Sequence, residues 1–201
     1  MSLFAPTPLL NILPYDGEVY YHGCVYASAE GEKIYQNLLH NVAWENDVSI
    51  IFGKTFITKR KVAWYGDKPY SYTYSNNTKY ALPFSEALQN LKNYAEQLSN
   101  ATYNSCLLNL YHNGSEGMGW HSDGEKTLAP NGAIASYSFG AERKFAFKHK
   151  NTKEVVNINL QHGSLLIMQG STQTHWLHRL PPTTRLLQPR VNLTFRTIIN
   201  Q

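Results

Sequence analysis

The chain has 201 residues, 42% hydrophobic and 16% charged, which excludes an intrinsically disordered protein and favours one folded domain with a sizeable core. Lys and Arg number 18 against 14 Asp and Glu, and the net charge of +4 permits nucleic-acid binding while arguing against a DNA-coating protein. The two cysteines, Cys24 and Cys106, are too few for a disulfide framework, so we expect reduced thiols.

The chain carries no pattern typical of export or of membrane insertion. Residues 1–14 lack a basic segment followed by a long apolar run. No apolar stretch approaches the roughly 20 residues that cross a bilayer. We therefore expect a soluble intracellular protein, cytoplasmic in a bacterium or nuclear in a eukaryote, and a monomer because no pattern points to an interface.

The first half of the chain combines an arm, two helices and a hairpin. An irregular arm is predicted for residues 1–20. Apolar residues near helical spacing predict a helix over 29–44 and, more strongly, a second helix over 84–99 that ends at Asn100. Between the helices, the tyrosine-rich stretch 64–80 is typical of a β-hairpin.

The second half of the chain changes to short β-like runs separated by turn residues such as Asn-Gly and Asp-Gly. Helices followed by many short strands favour an α+β domain with a β-sandwich or jelly-roll core. No repeat or linker divides the chain, so residues 1–201 are predicted to form one domain. The predicted strands are 105–111, 133–139, 143–149, 155–160, 164–168 and 190–198.

A metal-binding pattern begins at His121-Ser122-Asp123. At alternate positions of an extended segment, the imidazole and the carboxylate point the same way. A histidine from a distant strand would complete two His and one carboxylate, which leaves three metal positions open as in non-haem Fe(II) oxygenases. His-x-Asp alone is common by chance, and two later histidines, His175 and His178, are both candidates for the third ligand.

Residues 190–196 form a strand pattern with one apolar and one strongly polar face. Two arginines aimed inward from one strand are costly unless they meet anions, and a dicarboxylate would satisfy them through bidentate pairing. The alternative is a solvent-facing strand with two surface arginines. The polar positions are Arg190, Asn192, Thr194 and Arg196.

At these residues the sequence resembles the AlkB family of nucleic-acid dealkylases, and within it the duplex-DNA repair type. The resemblance begins near residue 48 and runs almost to the C-terminus, while residues 1–47 match weakly. It divides the chain into an N-terminal extension (1–47), a nucleotide-recognition region (48–80) and a jelly-roll core (104–200). The shared motifs are Asn109-Leu110-Tyr111, His121-Ser122-Asp123, His178-Arg179-Leu180-Pro181 and Arg190-Val191-Asn192-Leu193-Thr194-Phe195-Arg196.

The resemblance implies a fold, a ligand set and a reaction. The fold is a double-stranded β-helix core with flanking N-terminal helices. Fe(II) would bind His121, Asp123 and His178, and His175 would then have a supporting or structural role. With O2, the enzyme would demethylate bases of the 1-methyladenine and 3-methylcytosine type in DNA, releasing formaldehyde, succinate and CO2. The residues implied to hold 2-oxoglutarate are Asn109, Tyr111, Arg190, Asn192, Thr194 and Arg196.

The reacting atom lies on the pairing edge of a base, so the base must leave the helix. The resemblance makes Phe52, with Gly53 and Lys54, an apolar finger that would fill the vacated stack. Tyr74 would stack on the flipped base opposite His121, and Tyr72 would hydrogen-bond its edge. The alternatives are a buried strand phenylalanine and ordinary aromatic packing within a hairpin.

Glu125, two residues beyond Asp123, would favour a positively charged N-methylated base over the neutral base. The preceding Gly124 departs from the duplex-repair type, which has Asp there, and this weakens the transfer of substrate preference. Basic residues over 54–61 and 144–150 would contact phosphates, although a solvated face explains the second set at least as well.

Three other functions compete with DNA demethylation. The first keeps the oxygenase chemistry but acts on RNA, protein or lipid. The second is a catalytically silent jelly roll that recognises damaged DNA, which leaves the metal and co-substrate residues without a purpose. The third is a zinc-bound structural protein, which leaves the paired arginines unexplained.

Overall fold

A computed structural model describes the backbone of residues 9–51, 54–74 and 77–199, and the side chains within these ranges except at positions 48–56 and 72–78. The elements of the first half are β1 (Glu18–Cys24), α1 (Ser28–Asn41), β2 (Glu45–Ile51), β3 (Lys54–Gly66), β4 (Ser71–Tyr74), β5 (Asn77–Tyr80), β6 (Leu82–Pro83) and α2 (Glu86–Ser99). Those of the second half are β7 (Ser105–Tyr111), β8 (Met118–His121), β9 (Ile134–Gly140), β10 (Arg143–His149), β11 (Val155–Leu160), β12 (Ser164–Gln169), α3 (Thr172–His175), β13 (Trp176–Leu180) and β14 (Arg190–Arg196).

Two sheets face each other, and they are antiparallel except where the short β6 runs parallel to β3. Within the described ranges, the larger sheet has the order β1-β12-β9-β14-β7-β3-β2, with β6 paired to β3, and the smaller sheet has the order β11-β10-β13-β8. Strands β4 and β5 form a separate hairpin inside the predicted hairpin region. The arrangement confirms the predicted α+β fold with a jelly-roll core.

Helices α1 and α2 cover the face of the larger sheet that points away from the smaller one. Helix α2 begins at Ser85, whose hydroxyl accepts the Leu88 N–H, and ends where Asn100 adopts a left-handed conformation with φ of 52°. The Tyr137 hydroxyl on β9 donates to the Leu91 carbonyl of α2 over 3.0 Å. The apolar side of β14 packs into this layer through Val191, Leu193 and Phe195.

A second apolar cluster fills part of the space between the two sheets. Leu166 of β12 and Ile134 of β9 meet Phe147 of β10 and Trp176 of β13 there. The other half of this space is lined by polar side chains of β7, β9 and β14, among them Asn109. The fold therefore divides the interior between the sheets into a dry half and a polar half.

The chain start departs from the prediction. The irregular arm predicted for residues 1–20 is wrong at its end, because β1 begins at Glu18 and pairs with β12 at one edge of the larger sheet. Asn11 ties the preceding segment to this strand, since its side-chain oxygen accepts the Val19 N–H over 2.8 Å. Both long helices are confirmed, and α1 ends at Asn41 rather than near residue 44.

The structure also describes the two cysteines and the apolar character of the helices. Cys24 is exposed and Cys106 is buried, and both are free. None of the described helices combines the length and the apolar composition that a bilayer crossing requires.

Candidate metal and co-substrate site

Strands β8 and β13 bring the three predicted metal ligands together. His178 on β13 pairs directly with His121 on β8, and Asp123 follows two residues after the end of β8. The candidate ligand atoms of the three residues all lie within 4.8 Å of one another. The His121 Nε2 is 3.8 Å from Asp123 Oδ1, and the two imidazole centroids are 4.2 Å apart.

Both histidines of this cluster offer a free lone pair. The His121 Nδ1 lies 2.9 Å from the Gly119 carbonyl oxygen, which only accepts hydrogen bonds, so Nδ1 carries the proton and Nε2 is free. Burial lowers the pKa of His178 to about 3, although the Asp123 carboxylate acts in the opposite direction. A neutral imidazole is the form that binds metals.

Asp123 is held as an ionised carboxylate. Burial raises the pKa of Asp123, but the charge of Arg196, the largest of the opposing causes, contributes to keeping that pKa below its usual range. The Arg196 Nη2 donates to Asp123 Oδ2 over 2.7 Å, and the Asp123 N–H donates to the Gln173 Oε1 over 2.9 Å. These two bonds leave Oδ1 directed at the histidines.

The polar side of β14 points into the space between the sheets. Pairing of β14 with β7 sets Arg190 opposite Tyr111 and Asn192 opposite Asn109. Arg190 is 2% exposed, and its Nη2 donates to the Ser138 hydroxyl over 2.8 Å. The alternative of two surface arginines is therefore wrong. Burial lowers the pKa of Arg190 to about 10, which leaves the guanidinium protonated at neutral pH.

This polar face has hydrogen-bonding capacity that the protein does not use. Arg190 Nε, Arg196 Nε and Asn109 Oδ1 are buried and have no partner among the described residues. Within the same residues, no carboxylate lies at ion-pair distance from Arg190. A buried donor without a partner costs about 1–3 kcal/mol, and more when charged, so the face fits an anionic ligand such as 2-oxoglutarate.

The other two predicted co-substrate residues are bonded within the protein. The Asn192 side-chain amide donates to the Ser136 hydroxyl over 2.9 Å and to the Tyr137 carbonyl over 2.7 Å. The Thr194 hydroxyl lies 3.4 Å from Asn192 Oδ1. All six predicted co-substrate residues thus belong to one polar wall, on which Asn192 and Thr194 are already fixed in position.

Sequence reasoning missed two kinds of contributors to this site. Ser136 and Ser138 of β9 face the polar wall, and their alternation with Ala135, Tyr137 and Phe139 carries the period-two signal that would have found them. Gln173 has no such signal, because it reaches Asp123 from the four-residue helix α3, 50 positions later in the chain.

A second cluster with the same composition lies elsewhere in the fold. It contains Asp16, His149 and His175, whose candidate ligand atoms also lie within 4.8 Å of one another. The Thr152 N–H donates to His149 Nδ1 over 3.1 Å, so the neutral ring carries its proton on Nε2, which lies 3.3 Å from Asp16 Oδ2. A metal here would have to displace that proton and break the Thr152 bond. His178, rather than His175, lies with His121 and Asp123 in the first cluster, as the resemblance implied.

Most of the predicted substrate-binding side chains lie outside the described residues. Phe52 and Gly53 fall between the paired strands β2 and β3 but are not described, and Lys54 is described only as the first backbone position of β3. Tyr72 and Tyr74 lie on β4, likewise described in backbone alone. Glu125 is exposed, two residues beyond Asp123.

The chain is similar to several known proteins. Residues 17–196 match the family described as the 2OG-Fe(II) oxygenase superfamily. The chain is 40% identical over 186 residues to mouse "DNA oxidative demethylase ALKBH2", covering 87% of this chain and 78% of that protein, and 39% identical to the human protein of that name, covering 71% of it. It is 41% identical over 179 residues to human "Alpha-ketoglutarate-dependent dioxygenase alkB homolog 3", covering 84% of this chain and 62% of that protein.

A solved structure shares the fold. The structure titled "The structure of OsALKBH1" superposes with a TM-score of 0.66 and covers 89% of this chain and 97% of that one. The two sequences are 16% identical, so this likeness concerns the fold alone.

Proposed function

The chain belongs to the AlkB family within the 2OG-Fe(II) oxygenase superfamily, and from this premise we propose that it repairs DNA by oxidatively removing methyl groups from bases alkylated on nitrogen. It is an Fe(II)- and 2-oxoglutarate-dependent dioxygenase. Bound iron supplies, with O2 and 2-oxoglutarate, the oxidation that converts the methyl group to formaldehyde and leaves succinate and CO2. The observation that carries the proposal is the His121, Asp123 and His178 cluster beside a buried arginine wall with unused donors.

His121, Asp123 and His178 would hold the iron. The His121 side chain is 37% exposed whereas that of Asp123 is 5% exposed, so the cluster is reached from the His121 side. Phe145 stacks on His178 with ring centroids 5.6 Å apart and holds the deeper imidazole in place. The protein thus fixes two ligands in its interior and presents the third at the entrance.

Arg190 and Tyr111 would bind the remote carboxylate of 2-oxoglutarate. The guanidinium carbon of Arg190 lies 5.6 Å from the Tyr111 ring centroid, and the Arg190 Nε has no partner among the described residues. Arg196 would serve both sites, because its Nη2 holds Asp123 while its Nε is unbonded. Asn109, Asn192 and Thr194 would line the rest of the pocket.

The substrate assignment follows the relatives named as DNA oxidative demethylases. A methyl group on the pairing edge is reached only after the base leaves the duplex, and we assign this step to a Phe52–Lys54 finger with Tyr72 and Tyr74 as the clamp on the flipped base. Glu125 would favour cationic bases such as 1-methyladenine and 3-methylcytosine. Because Glu125 is exposed, solvent screening limits this preference to a modest one.

A repair assay tests the proposal. The full chain, Fe(II), ascorbate and 2-oxoglutarate are incubated with single-stranded and duplex DNA carrying 1-methyladenine, and mass spectrometry follows the methyl group. We expect methyl loss that requires 2-oxoglutarate and is absent from the Asp123→Ala variant. Succinate formation without methyl loss from DNA would contradict the DNA substrate and favour RNA or another substrate. No succinate at all would contradict the oxygenase activity and favour a binding module.

A further inference from the structure

The outer face of the smaller sheet is a basic surface that the iron site does not use. The four strands β8, β10, β11 and β13 contain no Asp or Glu. His121 and His178 point toward the larger sheet, so their neighbours Trp120 and Arg179 lie on the opposite face. Arg179 pairs with Ala146, and Lys144 and Lys148 flank Ala146 on that face. We call Trp120, Lys144, Lys148 and Arg179 the basic outer face.

Two cations of this face share one aromatic ring. The Lys148 Nζ lies 4.5 Å and the Arg179 guanidinium carbon 4.4 Å from the Trp120 ring centroid. The two charges are therefore at most about 9 Å apart, close to the Debye length of about 8 Å at physiological ionic strength, so they repel each other. The ring holds them through cation–π attraction, but neither charge is neutralised.

The cations of the face are free to meet an anion. In the described part of the chain, no carboxylate lies at ion-pair distance from Lys144, Lys148 or Arg179. The Arg179 Nε is buried and has no partner there. Two exposed asparagines of β11, Asn157 and Asn159, stand beside Ala146 and Lys144 and add neutral donors. This set of groups is complementary to a phosphate-rich ligand.

The shape and the position of the face agree with its charge. An open pocket of about 280 Å³ beside this face is lined by Trp120, Arg179, Gly117, Pro181 and Pro182. Strand β8 is the edge strand of the smaller sheet, and its last residue is His121. A nucleic-acid strand that enters the iron site past His121 therefore crosses the β8 edge and then reaches the outer face.

We propose that the basic outer face binds the phosphodiester backbone of the DNA that flanks the reacting base. Lys144, Lys148 and Arg179 contact phosphates, and the pocket beside Trp120 receives a flanking base, as on other surfaces that combine cations with aromatic rings. The inference rests on the proposed function for its ligand, but the binding itself requires no chemistry at the iron site.

Salt-dependent binding of unmodified single-stranded DNA of about 15 nucleotides tests the face. Each lost phosphate contact on a single strand lowers the slope of log affinity against log salt by about 0.7. We expect the double variant Lys144→Gln, Lys148→Gln to lose about 1.4 from the slope, and Lys144→Arg, Lys148→Arg to retain it. Lys33→Gln is the matched control, because Lys33 is exposed on α1, on the far side of the larger sheet. An unchanged slope in the double variant would overturn the proposal.

Turnover on substrates of two lengths gives a second, independent measurement. We expect the double glutamine variant to lower kcat/KM for the long methylated oligonucleotide about tenfold more than for a methylated trinucleotide, which is too short to reach the face. Equal losses on both lengths would place the effect at the iron site and overturn the proposal, as would a slope change seen with RNA but not with DNA. Wild-type protein that binds DNA with the expected slopes but demethylates nothing would support the face while contradicting the proposed function.

Discussion

The molecule carries two clusters of one aspartate and two histidines, and they differ in where their protons lie. In the first, the Gly119 carbonyl fixes the proton of His121 on Nδ1 and leaves Nε2 free. In the second, the Thr152 N–H occupies Nδ1 of His149 and leaves the proton on Nε2, which lies 3.3 Å from Asp16 Oδ2. Composition and distance do not separate the clusters, whereas the hydrogen bond on the far ring nitrogen does.

The two clusters also differ in solvent exposure and in the residues around them. Asp123 is 5% exposed and adjoins the arginine wall, whereas the Asp16 side chain is 53% exposed. His149 packs between Tyr15 and Trp176, with ring centroids at 5.2 Å and 5.0 Å. The first cluster lies beside arginine N–H groups that have no partner among the described residues. The second cluster connects Tyr15 and Asp16 to His149 of β10. Helix α3 touches both clusters, through Gln173 and His175.

The largest expected effect is on turnover. Asp123→Ala removes a proposed metal ligand, and we expect succinate formation to fall by more than about 100-fold, the upper range for residues that only support metal ligands. Asp16→Ala should leave turnover within about twofold, because Asp16 belongs to the second cluster, where His149 keeps its proton on the nitrogen nearest Asp16. Succinate production and bound iron are measured on the same samples. Normal turnover by Asp123→Ala at normal iron content would exclude this ligand assignment.

Next in size is the effect of Arg190 on co-substrate binding. At a concentration 100-fold above Kd, 2-oxoglutarate should stabilise the wild-type protein by about 2.7 kcal/mol and raise Tm by about 5–10 °C. Arg190→Gln should abolish this rise while retaining the stabilisation by Mn(II), because the cation that meets the carboxylate is gone and the ligand cluster is intact.

The control for this measurement is Arg185→Gln, which removes the same charge from an exposed position. It should behave as the wild-type protein does. A full 2-oxoglutarate shift in Arg190→Gln would mean that the buried guanidinium serves the fold alone.

Periodicity made much of the first site predictable. The alternation along Arg190–Arg196 predicted an inward polar wall, and the His-x-Asp spacing placed His121 and Asp123 on one side of the chain. Asn100 marked the end of α2, since a left-handed residue is a local signal. These features depend on neighbours in sequence, which a single sequence displays.

The second cluster and the first strand were not predictable in this way. Asp16, His149 and His175 share no spacing, and their proximity results from the pairing of His149 with Trp176 and the return of the chain start. Strand β1 pairs with β12, where Val19 meets Met168, so its partner is invisible to local patterns. The sequence is even less able to predict which ring nitrogen of His149 carries the proton, because this depends on one backbone N–H at Thr152.

Gln173 is the residue through which helix α3 supports the first cluster. Gln173→Met keeps the side-chain length but removes the oxygen that accepts the Asp123 N–H. We expect turnover to fall about tenfold, the lower range for residues that orient a metal ligand, and iron to bind less tightly. Thr174→Ala, an exposed neighbour on α3, is the control. If Gln173→Met matched the control in both measurements, the backbone of Asp123 would need no support from α3.

The smallest effect is expected where the second cluster meets solvent. Asp16→Asn keeps the size of the side chain but removes its charge. Because the Asp16 side chain is 53% exposed, its contact with the His149 ring contributes less than about 1 kcal/mol. Tm should therefore fall by less than about 4 °C, with metal content and turnover unchanged. Thermal unfolding at matched metal occupancy measures this. If Asp16→Asn lost a bound metal ion, the second cluster would bind metal despite the proton on His149, and the distinction between the two clusters would be wrong.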